Sequence, residues 1–147
     1  MPLNGLYKEV ILDHYRTPRN RGTLEDATIT EGGHNPSCGD TLELFLNISE
    51  DGKVSEVRFD GHGCSISMAS SSMMTELIKG KPLDEVLDII KVFEGMMRGE
   101  ATFPDADEYL DVVSLQGVAD FPVRLKCATL AWDTAKRGIE HYRANQK

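Results

Sequence analysis

Residues 41–48, TLELFLNI, alternate without a break. Leu42, Leu44, Leu46 and Ile48 fall on one side, and Thr41, Glu43, Phe45 and Asn47 on the other. A period of two marks a strand with one buried face. EDGK supplies a turn, and VSEVRFDG resumes with Val57 and Phe59 on one face, which predicts a β-hairpin. ATIT at 27–30 predicts a third, edge strand. Before it, Leu3, Leu6, Tyr7, Val10, Ile11 and His14 or Tyr15 make an apolar stripe, predicting a helix over 3–16 that TPRNRG ends.

Beyond the hairpin the period becomes helical. Ile66, Ala69, Met73 and Leu77, with Met74 and Ile78, predict a helix that stops at Gly80. Leu83, Val86, Leu87, Ile90, Phe93 and Met97 predict another, ending near Gly99. A short helix is expected around 107–115. From 123 onward Leu125, Ala128, Ala131, Trp132, Ala135, Ile139 and Tyr142 predict a long last helix. Strands first and helices afterwards give an α+β class: a small antiparallel sheet of about three strands covered by helices, in a single domain over 1–147.

Charge narrows the function. Sixteen basic against 24 acidic residues leave a net charge of −8, which disfavours nucleic acid as a partner. No apolar run approaches a membrane span. Glu9 and Asp13 interrupt the apolar residues of the N-terminal segment, unlike a signal peptide. The expected compartment is the cytoplasm, where thiols stay reduced. Three cysteines suit a disulfide framework poorly, and metal binding or thiol chemistry reads better.

Cys38 lies in HNPSCGD, two positions before Asp40, so both can address one point if the chain there is extended. Cys64, in GHGCSIS, follows the second hairpin strand and starts a helix, whose N–H groups and dipole favour a thiolate. Cys127 lies near the start of the last helix, flanked by Arg124 and Lys126, two further cations. A closed hairpin brings Cys38 and Cys64 together, and Cys127 joins through tertiary structure. Each thiol is placed at an element boundary rather than on an apolar stripe. Three thiolates and a carboxylate suit tetrahedral Zn²⁺ and also an iron–sulfur cluster, and softness alone does not choose between them. His34 and His62 are rival ligands, read as exposed loop histidines. Ser65, Ser67, Ser70, Ser71 and Ser72 are read as small residues for close helix packing, and Met68, Met73, Met74, Met96 and Met97 as core filler.

NPSCGD, GHGCSISMASS and RLKCATLAW resemble the three cysteine motifs of the U-type iron–sulfur assembly proteins, the IscU/NifU N-terminal family, in order and over nearly the whole chain. The resemblance implies the SufE/NifU-like (IscU) fold. Two features resemble the SufU branch. The interval from Cys64 to Cys127 is long, with an insertion placed around KVFEGMMRGE. Lys126 also stands where IscU scaffolds carry a histidine, and an ammonium has no lone pair to offer a metal. What the resemblance then implies is a zinc-bound sulfur acceptor with Cys38, Asp40, Cys64 and Cys127 as ligands. It would take persulfide sulfur from a PLP-dependent, SufS-type cysteine desulfurase and pass it to a downstream SUF cluster scaffold. The alternative it carries is a scaffold assembling a transient [2Fe–2S] cluster on the same residues. A purely structural zinc module is disfavoured because no C-x-x-C knuckle is present. Cys38, set among Gly32, Gly33, Pro36 and Gly39 in a turn free to swing, is the expected sulfur acceptor. Cys127 is its alternative, with Arg124 and Lys126 steadying the anionic sulfur.

Overall fold

The computed structural model describes residues 5–36 and 39–145. Leu3 and Cys38 therefore lie outside the described residues. The chain runs α1 (Gly5–Arg16), β1 (Ile29–Asn35), β2 (Asp40–Ile48), β3 (Val54–His62), α2 (Ser65–Ile78), α3 (Leu83–Met97), α4 (Leu110–Val113) and α5 (Pro122–Ala144). Short 3₁₀ turns flank α4, so the helix expected around 107–115 is broken into three pieces. The strands form one antiparallel sheet in the order β1-β2-β3, the expected α+β arrangement.

The alternation in β2 does what its pattern predicts. Leu42, Leu44 and Leu46 are buried, and on β3 Val57 and Phe59 are fully buried. Asp40 shares their parity and is carried to the same covered side with 0% exposure. Phe45, on the opposite parity, is also buried at 7%. Helix α5 packs along β1, and α2 packs against α1, α5 and β3. All five methionines expected in the core are there. Trp132 stacks on Phe93 with ring centroids 4.0 Å apart. No helix among the described residues is long and apolar enough to cross a membrane.

One strand differs from expectation. It runs from Ile29 to Asn35 rather than over 27–30, and takes in Gly32, Gly33 and His34, which were expected to belong to a turn. Pairing is continuous from Ile29 opposite Leu46 to Asn35 opposite Asp40. Glycine is a weak strand former, but α5 lies so close that a Cβ on Gly33 would stand 2.2 Å from Thr134 Oγ1. The missing side chain is what lets the helix close on the sheet. Gly32, Gly33 and His34 thus belong to the strand and not to the turn expected around Cys38.

The buried serines are more than spacers. Ser70 Oγ donates to Ala128 O and accepts from Trp132 Nε1–H, tying α2 to α5. Ser72 Oγ meets His14 Nδ1 at 2.8 Å and accepts the N–H of Arg19. His14 Nε2 donates to Asp111 Oδ2 at 2.7 Å. His14, not Tyr15, continues the α1 stripe: His14 is 0% exposed and Tyr15 45%.

Candidate metal centre

Three elements converge at one end of the sheet. Asp40 opens β2, Cys64 follows β3 as the N-cap of α2, and Cys127 sits on α5. One ligand atom from each of Asp40, Cys64 and Cys127 lies within 4.8 Å of the others. Sulfur ligands about 2.3 Å from a tetrahedral centre stand about 3.8 Å apart, so small side-chain rotations would bring these atoms to bonding distance of one ion. A hard carboxylate with soft thiolates suits Zn²⁺. The donor set and its spread therefore fit the metal that the sequence motifs imply.

The surroundings hold the three groups in place. Asp40 Oδ1 accepts the backbone N–H of Cys64 at 3.0 Å. Its Oδ2 accepts from Asn35 Nδ2 at 3.2 Å. Cys64 Sγ accepts the N–H of Ser67 at 3.4 Å, in the manner of a helix cap. Asn35 Nδ2 also stands 3.7 Å from Cys127 Sγ. Gly63 closes the carboxylate's other side, where a Cβ would come 2.3 Å from Asp40 Oδ1. Each of these contacts presents an N–H or bare backbone to an atom that carries negative charge when ionised.

Cys64 is half-buried, and both it and Cys127 line a cleft of about 630 Å³. Ile11, Ile66, Val123 and Arg124 supply much of its wall. The Arg124 guanidinium lies over the Phe121 ring, 5.4 Å from its centroid.

Several expected residues fall into place and others do not. Asp40, Cys64 and Cys127 come together, and Arg124 lines the same cleft as the two thiols. Lys126 does not share their cleft; it lines a neighbouring one with His34 and Asn35. Cys127 is not at an element boundary. It lies more than a turn inside α5, 2% exposed and within the apolar core, because the buried stripe of α5 passes through it. His34 and His62 are exposed as expected, but at strand positions rather than in loops.

Two residues at the site were not foreseen. The use of Asn35 shows only in its pairing opposite Asp40. The use of Gly63 shows only in its close approach to the Asp40 carboxylate. No local sequence signal marks either.

This is the architecture of an iron–sulfur assembly domain, and residues 6–147 match the NifU-like N terminal domain. The chain belongs to that family. It is 45% identical over 137 residues to the zinc-dependent sulfurtransferase SufU of Bacillus subtilis, covering 93% of this chain and 91% of that one. It is 41% identical over 140 residues to the iron–sulfur cluster assembly scaffold protein IscU of Thermotoga maritima, covering 95% and 96%. The crystal structure of FiSufU from Fervidobacterium islandicum AW-1 superposes with a TM-score of 0.82 at 35% identity, covering 89% of this chain and 94% of that one.

Proposed function

We propose that this protein is a zinc-dependent sulfur acceptor for iron–sulfur cluster assembly. It would take sulfur from a PLP-dependent cysteine desulfurase of the SufS type and deliver it to a downstream SUF scaffold in the cytoplasm. The observation that carries the reading is the convergence of Asp40, Cys64 and Cys127 within 4.8 Å. The likeness to a relative named a zinc-dependent sulfurtransferase supports it. Cys38 completes the ligand set in this reading. Bound there, zinc would keep the thiols in the thiolate form and shield them from oxidation.

The chain's own residues then divide the work. Asp40 and Cys127 are buried and anchored in β2 and α5, and Cys64 caps α2. Displacing any of them disturbs packed structure. Cys38 belongs to the connection between Asn35 and Asp40, and is the sulfur acceptor in this reading. Its thiolate attacks the outer sulfur of the desulfurase persulfide. A new S–S bond forms on Cys38, the persulfide's own S–S bond breaks, and the desulfurase cysteine leaves as a thiolate. Arg124, which lines the cleft with Cys64 and Cys127, offers a cation to the incoming anionic sulfur. Lys126, on the adjoining cleft, serves the approach of the partner.

Incubation of zinc-loaded protein with a desulfurase and free cysteine, followed by alkylation and peptide mass spectrometry, tests this. The extra sulfur is expected on Cys38 at the earliest times. Persulfide on Cys127 and none on Cys38 would make Cys127 the carrier. A brown protein that keeps iron and sulfide through gel filtration would replace the reading with the [2Fe–2S] scaffold alternative, for which Lys126 is the unfavourable residue.

A further inference from the structure

Among the described residues around the metal centre, Asn35 touches two of its ligand groups. Asn35 ends β1 and is 6% exposed. Its side-chain Nδ2 reaches Asp40 Oδ2 at 3.2 Å and Cys127 Sγ at 3.7 Å. Those two groups come from different parts of the fold, 87 residues apart on β2 and α5. An amide nitrogen carries two hydrogens, so it can serve both acceptors at once. Asn35 is directly opposite Asp40 in the sheet, so a continuous ladder sets its backbone position.

We infer that Asn35 is a positioning residue that holds Asp40 and Cys127 at metal-binding separation and donates N–H hydrogen bonds to both. The inference rests on the zinc-site reading above. A carboxylate buried to 0% exposure beside two thiols is costly unless N–H donors face it. The backbone N–H of Cys64 serves Asp40 Oδ1, and Asn35 serves the second carboxylate oxygen and a sulfur together. Its amide brings no charge of its own, so it satisfies the acceptors without competing for the ion. Outer-sphere donors of this kind orient ligands, and removing one typically costs about 10- to 100-fold in metal affinity.

The test substitutes Asn35→Ala in the full chain, with Asn35→Ser as the second variant should the first fail to fold. Zinc affinity is measured by chelator competition, and Co²⁺ is used as a visible probe of the same site. The expected result is a folded variant that binds zinc about 10- to 100-fold more weakly. Its thiolate-to-cobalt absorption band should move to longer wavelength, because a sulfur that loses an N–H donor holds its lone pairs less tightly. Zinc affinity within twofold of the unaltered chain overturns the inference. So does an affinity loss with the cobalt band unmoved, since that describes damage to the fold and not to the sulfur's hydrogen bond. Failure of the unaltered chain to bind cobalt or zinc overturns the zinc-site reading itself and this inference with it. That result is recognisable because it appears before any substitution is made.

Discussion

The backbone N–H of Cys64 donates to Asp40 Oδ1 at 3.0 Å, joining the first residue of α2's cap to the first residue of β2. A single carboxylate thus shapes the start of a helix and faces two thiols. Asp40→Ala leaves that N–H and the Asn35 amide without this acceptor, at a cost of about 1–3 kcal/mol for a buried donor. It also removes a buried charge, which acts in the opposite direction. The metal-free variant should melt within a few degrees of the unaltered protein, while the zinc-dependent rise in melting temperature shrinks. Calorimetry with and without zinc decides it, and an undiminished zinc increment would remove Asp40 from the ligand set.

The cap geometry separates metal binding from folding. Serine is a good N-cap, so Cys64→Ser keeps the helix start but loses a soft ligand. Cys127→Ser instead puts a hydroxyl among core residues. We expect both variants to lose zinc, and only Cys127→Ser to melt at clearly lower temperature in the metal-free state. Metal content by mass spectrometry, beside thermal melts, checks both halves. Equal destabilisation of the two would refute the division of roles.

Gly63 gives a steric test. A Cβ there would meet the Asp40 carboxylate at 2.3 Å, whereas one on Gly32 would find nothing nearer than Leu42 O at 3.9 Å. Gly63→Ala should weaken zinc binding by about tenfold or more through the displaced carboxylate. Gly32→Ala should leave it unchanged. Chelator competition on the pair reads the difference directly.

Ser70 offers a test of the framework. Ser70→Ala strands the indole N–H of Trp132 and removes a donor from Ala128 O, both inside the core. The expected loss is about 1–3 kcal/mol, followed by urea unfolding with Trp132, the single tryptophan, as the fluorescent reporter. A loss below about 0.5 kcal/mol would show that the α2–α5 tie contributes little.

At the far end of the sheet, hydrogen bonds from Lys79 and then Arg58 hold the Glu56 carboxyl below its ordinary value of 4.5. A lowered carboxyl stabilises the fold fully above the ordinary value and loses that contribution as pH falls through the lowered one. Glu56→Gln should therefore be less stable at neutral pH by under about 1 kcal/mol, as expected of a partly exposed pair. The gap should close below pH 4.5. Denaturant midpoints at several pH values measure it, and a gap that persists in acid would refute the assignment.

By itself the sequence determined the hairpin, the long helices and the place of Cys64 at the start of α2, because period-two and helical spacing report local backbone geometry directly. The structure starts β2 one residue earlier than TLELFLNI, and Asp40 is covered because it shares parity with Leu42 and Leu44. The likeness of the three cysteine motifs to the U-type assembly proteins was also legible, and the family match confirms it. Tertiary structure alone decided the rest. Gly32 and Gly33 pair in a strand because α5 closes on β1, and no glycine announces a helix that arrives a hundred residues later. Cys127 is core because the buried stripe of α5 runs through it. Asn35 and Gly63 matter only because sheet register and the β3–α2 junction bring them to Asp40. Such roles depend on contacts between residues distant in sequence, and neither propensity nor pattern encodes those contacts locally.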